Sequence, residues 1–157
     1  MKIIIGISGG IAAYKSCELV RLLQKAGHEV RAIMTEGAKQ FIHLNTFAAL
    51  TKDHAYDSVF SQEHNAMLHI ELAKWADLII IAPATANIIS KLSYGIGDDL
   101  LTTVCLATNA ACYIAPAMNC QMWNKPATQR NIEQLSSDGY HALPTEEGEQ
   151  ACGDVGF

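Results

Sequence analysis

Short apolar runs and stretches of helical period take turns along this chain. The runs KIIIGIS, EVRAIMT, LIIIAPA, CYIAPAM and YHALP are separated by segments whose apolar residues recur every three or four positions. That order reads as repeated βαβ units, and parallel neighbours in one sheet require a crossover that is right-handed in nearly all cases. Leu78 to Ala82 is apolar without alternation, as a strand covered on both faces would be. In the first helical segment Ala12, Leu19, Leu23 and Ala26 fall near one stripe, and Gly27 stands at the C′ position that would end it. The expected fold is α/β: a single-domain, flavodoxin-like or Rossmann-like open parallel sheet with helices on both faces. Five strands suit the order 2-1-3-4-5. One helix is expected through NIISKLSYGIGDDLLTTVCLA and another through TQRNIEQLSS, while SVFSQEHNAM reads as an irregular excursion.

A length of 157 residues is that of about one domain. The chain is 50% hydrophobic and 17% charged with a formal net charge of -5. A nucleic-acid-binding surface would carry a basic excess, so no nucleic-acid partner is expected. The apolar runs are far shorter than a bilayer span, and Met1 leads straight into a strand-like stretch without a signal-peptide core. The expectation is a cytoplasmic protein with no membrane partner. Five cysteines, an odd number without a C-x-x-C pair, fit neither a disulfide framework nor a zinc site. Cys17, Cys105, Cys112 and Cys120 sit in apolar or strand-edge contexts, where a free cysteine packs as a small hydrophobe. Cys152 lies instead in EGEQACGDVGF, too rich in glycine to be core. None of His28, His43, His54, His64 and His141 has metal-ligand spacing, and Asp98-Asp99 reads as a helix start, where acid is favoured. No metal site is expected.

Ligands of open parallel sheets bind outside the carboxyl ends of the strands. After the first strand comes SGGIAAYK, from Ser8 to Lys15, whose glycines permit close backbone approach. It reads equally as a phosphate-binding turn leading into a helix N-terminus and as a tight turn that needs glycine. The third and fourth strands end alike, in IIIAPATAN and CYIAPAMN. Pro83 and Pro116 mark where pairing stops, because proline cannot donate to a ladder. Small alanines follow, so the two ends look like two walls of one flat pocket. Asn87 and Asn119 at their tips suit either that pocket or the N-caps of the next helices, and for Asn87 the cap is the preferred reading.

Taken together, SGGIAAYKS, MTEGAKQF, HIELAKWADLIIIAPATAN, GIGDDLLTT, APAMNCQMW and ACGDVG resemble the flavin-containing cysteine decarboxylases. The resemblance runs from Lys2 to Phe157 and is nearest to the branch that decarboxylates 4′-phosphopantothenoylcysteine in coenzyme A synthesis. It implies FMN, bound by Ser8, Gly9, Gly10 and Ile11 after the first strand and by Thr35, Glu36 and Gly37 after the second. Thr85, Ala86, Asn87 and Ile88 after the third strand and Ala117 after the fourth complete the implied cofactor site. It also implies a small phosphorylated cysteine conjugate as substrate and a homotrimer or dodecamer, so that His69 and Asn119 of one pocket can come from two chains. The resemblance extends to a bacterial bifunctional protein whose other half is a phosphopantothenate–cysteine ligase. On that reading residues 1–157 are a flavoprotein domain cut within its substrate flap, fused in the full-length protein to such a ligase.

The implied chemistry explains why a cofactor is needed. Loss of carbon dioxide from a cysteinyl carboxylate leaves electrons on a carbon with no neighbouring sink. In the family's mechanism the flavin oxidises the substrate to a thioaldehyde, carbon dioxide leaves to give an enethiol, and the flavin returns the electrons. His69 matches the active-site histidine and can hold or move a proton near neutral pH; by itself it would read as a packing residue beside Leu72, Ala73 and Ala76. Asn119 matches the residue that holds the substrate carboxylate, and a neutral amide binds that group without the full strength of a charged pair. Cys152 matches the flap cysteine that supplies a proton, as a thiol protonated at neutral pH can; by itself it would read as an exposed thiol. Met118 and Trp123 are assigned to packing around the slot. Alternatives within the same scaffold are a peptidyl-cysteine decarboxylase, prenyl transfer to FMN and a non-catalytic FMN-binding regulatory subunit. A dinucleotide enzyme is disfavoured because the glycine spacing is not G-x-G-x-x-G.

Overall fold

Six strands run parallel in one sheet: β1 (Lys2–Ile7), β2 (Glu29–Met34), β3 (Ala55–Tyr56), β4 (Leu78–Ala84), β5 (Ala111–Pro116) and β6 (His141–Ala142). Their spatial order is β3-β2-β1-β4-β5-β6. The computed structural model describes residues 1–60 and 66–145, together with the backbone of the two-residue strands Gly148–Glu149 (β7) and Val155–Gly156 (β8), which pair antiparallel. The sheet therefore has one strand more than the five expected. The addition is β3, two residues at the edge that pair with Ala32 and Ile33 of β2. It is too short to carry a period in the sequence, and without it the order reduces to the expected 2-1-3-4-5.

Side chains alternate across each strand and divide the core in two. Ile3, Ile5 and Ile7 of β1 face a cluster with Val30, Ala32 and Met34 of β2, covered by α1 (Lys15–Lys25) and α2 (Leu44–Thr51) through Val20 and Phe47. Ile4, Ile79, Ile81 and Ile114 face the other cluster. That second face is covered by α3 (Leu68–Trp75), α4 (Ala86–Ser93), α5 (Leu100–Ala107) and α7 (Pro126–Ser137). On β4 both faces are covered but unequally: Ile79 and Ile81 are fully buried, while Leu78 and Ile80 are partly buried. Gly6 lets α5 approach β1, since a Cβ there would lie 2.6 Å from Leu101 Cδ1.

Two helical expectations change. The segment after β1 opens with a 3-10 turn over Ile11–Tyr14, and α1 begins at Lys15. A 3-10 turn advances with three residues per turn, so the buried stripe is shifted. It runs through Ala13, Ser16 and Val20 with Leu19 and Leu23 beside it, while Ala12 is half-buried and Ala26 exposed. The end is as read: Gly27 takes φ +89°, and His28 and Gly27 donate to the carbonyls of Leu23 and Gln24 in a Schellman closure. The single helix expected over 87–107 is two, α4 and α5. Gly95, at φ +68°, closes α4 in the same way, with Ile96 donating to Lys91.

Asp99 then starts α5 as a capping box. Its Oδ1 accepts from the Thr102 N–H at 2.8 Å while the Asp99 N–H donates to Thr102 Oγ1 at 3.2 Å. Asp98 pairs with Lys91 instead. The acidic doublet is thus a helix start, as its sequence indicated. Asp99→Ala should lose about 1 kcal/mol of stability, up to ~2, and Asp98→Asn no more than about 0.5. Urea midpoints at unchanged m-value measure both, and equal effects of the two substitutions would contradict the cap.

Candidate active site

The order of the sheet reverses between β1 and β4, where β1 leads to α1 on one face and β4 to α4 on the other. A crevice opens at such a point, outside the carboxyl ends of the two strands. Pro83 has no N–H, and the β4–β5 register shifts between Ile81 and Ala84, so backbone groups here need partners outside the ladder. Two serines provide them. Ser8, 2% exposed, donates from Oγ to the Pro83 carbonyl at 2.6 Å and accepts from the Thr85 N–H at 3.1 Å. Ser16 donates to the Ala82 carbonyl at 2.5 Å. The Ser8 hydroxyl thus serves the floor of the crevice.

The loops after β1 and β2 touch backbone to backbone. A Cβ on Gly9 would lie 2.7 Å from the Gly37 carbonyl carbon, and one on Gly37 would lie 3.3 Å from Gly9 Cα. A Cβ on Gly10 would meet Thr85 Cγ2 at an ordinary 3.5 Å. Thr35 Oγ1 accepts from the Ala38 N–H at 3.2 Å and so shapes the second loop. Glu36 is exposed and pairs with Lys39 at 2.7 Å, and Lys39 also reaches Asp57 at 2.7 Å. Hydrogen bonds to Asp57 and then Glu36 hold the Lys39 ammonium above its ordinary pKa, so it stays charged at neutral pH. Ile11 is exposed beside the glycines.

On the third strand end the helix cap is Thr85, whose Oγ1 accepts from the Ile88 N–H at 3.3 Å. This corrects the preferred reading of Asn87 as the cap: Asn87 lies within α4 and is exposed. Threonine wins because it is the last extended residue, with φ -74° and ψ 163°. Ile88 commits its side chain to the core, at 1% exposure, and its N–H to the cap. Ala86 is half-buried. Ala117, also half-buried, donates its N–H to Ala84 at 3.0 Å and draws the fourth strand end against the third.

His69 is the second residue of α3, and Asn119 stands before the short helix α6 (Cys120–Trp123). Because α3 returns the chain to the start of β4, its first turn lies at the same sheet edge as the crevice. His69 Nδ1 is buried and has no hydrogen-bond partner among the described residues. Asn119 caps α6, with Oδ1 accepting from the Gln121 N–H at 2.8 Å. The cap thus uses the amide oxygen, whereas a carboxylate ligand would call on the amide NH2. Met118 packs against the core and Trp123 is half-buried, in keeping with packing roles. Cys152 lies outside the described residues, as does His64. Among the described residues no three His, Cys, Asp or Glu side chains are grouped to hold a metal ion.

Ser16 and the Lys39–Asp57 pair lie outside the residues that the sequence singles out. A serine within the buried stripe of α1 is a signal for the first, since a buried hydroxyl needs a partner. The pair depends on how loops pack, and no short spacing announces it.

Comparison with known proteins agrees with this geometry. The Flavoprotein family profile matches residues 1–157. The chain is 50% identical over 155 residues to the coenzyme A biosynthesis bifunctional protein CoaBC of Haemophilus influenzae, covering 98% of this chain and 39% of that protein. It therefore spans well under half the length of this curated relative. Among solved structures it is similar to the FMN-dependent cysteine decarboxylase SpaF, with a TM-score of 0.88 and 33% identity, covering 100% of this chain and 90% of that one. It is also similar to a mutant PPC decarboxylase complexed with pantothenoylaminoethenethiol, with a TM-score of 0.86 and 31% identity, covering 99% of this chain and 87% of that one. With a profile match along its whole length and the strand-end crevice just described, the chain belongs to the Flavoprotein family.

Proposed function

We propose that this chain binds FMN and decarboxylates 4′-phosphopantothenoylcysteine to 4′-phosphopantetheine, as one part of a longer protein that also carries a phosphopantothenate–cysteine ligase. The observation that carries the reading is the buried Nδ1 of His69 at the crevice edge, which has no partner among the described residues. A buried polar atom without a partner is costly and rare in native proteins. A ligand that exchanges a proton with it supplies a reason for its retention. The likeness to CoaBC and to PPC decarboxylase selects the substrate class.

The residues present fit FMN. Gly9 and Gly37 let the first two loops touch backbone to backbone with no room for a Cβ between them, which fixes the shape of the strand-end rim, and the turn at Ile11 presents N–H groups that have no partner within their own helix, suited to a phosphate. Thr85, Ala86 and Asn87 at one strand end and Ala117 at the adjoining one are small or flat enough to admit a planar ring stacked over the paired ends. Bound FMN supplies the reversible two-electron chemistry that no side chain of the site can provide.

The chain's own residues do the rest. Asn119, its oxygen fixed by Gln121, donates from its amide NH2 to the substrate carboxylate and orients it. A neutral donor limits ground-state stabilisation of a group that must leave as neutral carbon dioxide, and stabilising the ground state alone would not lower the barrier. His69 holds or moves a proton at Nδ1. Ser8, Ser16 and Thr85 position the strand ends and touch the reaction through them. Cys152 is assigned the proton that completes the product. Ile11, Tyr14, Phe41 and Met67 are each more than half exposed, and a homotrimer, alone or within a dodecamer, would give these apolar side chains a surface to bury against.

The likeness to SpaF favours a second reading, decarboxylation of another cysteinyl substrate such as a peptide ending in cysteine. Comparing kcat/KM for the peptide and for the pantetheine precursor separates the two.

Purified protein should be yellow and carry FMN. His69→Asn should keep the flavin spectrum and lose about 10²–10⁴-fold in kcat, read as carbon dioxide release; normal turnover by this variant would remove the histidine from the chemistry. Gly9→Ala should weaken FMN binding at least about tenfold, a cost of ~1.4 kcal/mol, because the added methyl meets Gly37 backbone. Gly10→Ala should leave the unfolding midpoint unchanged, so any loss of FMN affinity it shows reports a ligand lying against that residue. Flavin titration together with urea unfolding checks both, and full affinity in Gly9→Ala would contradict a role for the contact between the two loops in shaping the cofactor site.

A further inference from the structure

Asn119 stands at the start of α6, a helix of four residues in which none is buried. So short a helix is unfavourable by itself, because one turn fixes several dihedral angles for very few hydrogen bonds. Without buried side chains to anchor it, its ends decide its position. At the first end Asn119 Oδ1 accepts from the Gln121 N–H at 2.8 Å, and the Asn119 carbonyl accepts from the Trp123 N–H at 3.0 Å. A helix leaves its last carbonyls without partners of its own. Two side chains of α7 meet them here: Thr128 Oγ1 donates to the Met122 carbonyl at 2.6 Å, and Gln129 Nε2 donates to the Trp123 carbonyl at 2.7 Å.

The geometry of these two bonds is that of a clamp. A helical threonine commonly turns its hydroxyl back on the carbonyl four residues earlier. Thr128, only 8% exposed, passes that residue and reaches one six positions back, and Gln129 spans the same interval. One such bond would let the turn swivel, whereas two on consecutive carbonyls set both its tilt and its rotation. The base of the clamp is firm. Pro126 opens α7 with a φ already suited to a helix, and farther along Ile132 and Leu135 pack into the core.

We propose that Thr128 and Gln129 are positioning residues for the substrate, which by clamping the end of α6 fix the direction in which Asn119 presents its amide. The inference rests on the role proposed above for Asn119 in holding the substrate carboxylate. Both the side-chain oxygen and the carbonyl of Asn119 are bonded to N–H groups of the turn, so the amide moves when the turn does. A displacement of about 1 Å at a reacting group can cost about 10²-fold in rate. Both residues act through Asn119.

The experiment compares the wild-type full chain with Thr128→Val, Thr128→Ser and Gln129→Met, each loaded with FMN. Hydrogen exchange at the amides of Gln121, Trp123 and Asn124 is followed by mass spectrometry, and kcat and KM are measured from carbon dioxide released by 4′-phosphopantothenoylcysteine. Thr128→Val removes the donor and should speed that exchange about tenfold, the worth of one hydrogen bond. It should lower kcat/KM by about tenfold to 10²-fold with flavin affinity unchanged, and Gln129→Met should act alike. Thr128→Ser keeps the donor and should match wild type in both readouts. The proposal is overturned if Thr128→Val and Gln129→Met exchange at the wild-type rate, or if faster exchange leaves kcat/KM intact. It is equally overturned if Thr128→Ser is as impaired as Thr128→Val, because the methyl and not the hydroxyl would then matter. Gln129→Met, at a half-buried position, keeps the comparison decisive should Thr128→Val fail to fold. A wild type that releases no carbon dioxide would refute the proposed reaction, and the exchange rates would still decide whether α7 fixes Asn119.

Discussion

The hydroxyl of Ser8 is the point on which the crevice depends. It joins the end of β1 to the end of β4 by donating to Pro83 and accepting from Thr85, at the place where the sheet order reverses. Proline and the register shift have removed those groups from the ladder; the Ser8 N–H reaches the Pro83 carbonyl at 3.4 Å, and the hydroxyl adds a shorter bond to that carbonyl and a partner for the Thr85 N–H. Fixing Thr85 fixes the cap of α4, and the Thr85 methyl then sits 3.5 Å from where a Cβ of Gly10 would be. Gly9, its neighbour, meets Gly37 on the other side. One small hydroxyl thereby sets the mutual position of three loops that belong to three different strands.

The same economy recurs at the helix starts. Thr85 and Asn119 each satisfy the first N–H groups of a helix, and each also stands where a ligand would meet the strand end. A cap residue is held in one rotamer by the backbone it serves, so a second role comes with its geometry already set. Asn119 shows why the cap and pocket readings of the strand tips need not compete. The cap employs the amide oxygen, and the chemistry proposed for the carboxylate calls on the nitrogen. At Asn87 the readings do compete, and there the preceding threonine takes the cap, leaving the asparagine exposed on α4.

Much of this was legible in the sequence because it rests on local rules. Apolar runs of strand length announced β1, β2, β4 and β5, Gly27 announced the end of α1, and the Asp98-Asp99 doublet announced a helix start. The break between α4 and α5 was missed because an apolar period runs on both sides of it; the left-handed Gly95 stops the chain where periodicity does not. β3 was missed because two residues have no period at all, and it exists by virtue of pairing with β2. The burial of Ser8 could not be read from SGG, since a glycine-flanked serine looks the same whether it faces a ligand or a neighbouring strand. His69 gained its distinction from the fold: the sequence placed it on an amphipathic helix, and packing left its Nδ1 buried without a partner among the described residues.

A chain of net charge -5 must still accept anionic groups if it is to bind FMN and a phosphorylated carboxylate. Side-chain cations do not provide the means at the second loop, where Lys39 is shared between Glu36 and Asp57. Arg31 and Lys2 are spent at the opposite edge, over the Trp75 ring at 4.3 and 5.9 Å, with Arg31 also held by Asp53. The backbone adds to the crevice the N–H groups of the glycine turn and the first turns of α3 and α4, whose dipoles present their positive ends to the same edge. Recognition built this way depends on the loops keeping their shape more than on the count of charges. That returns the burden to the serine and glycine contacts at the strand ends, where a single added methyl at Gly9 meets main chain with no flexible side chain to yield.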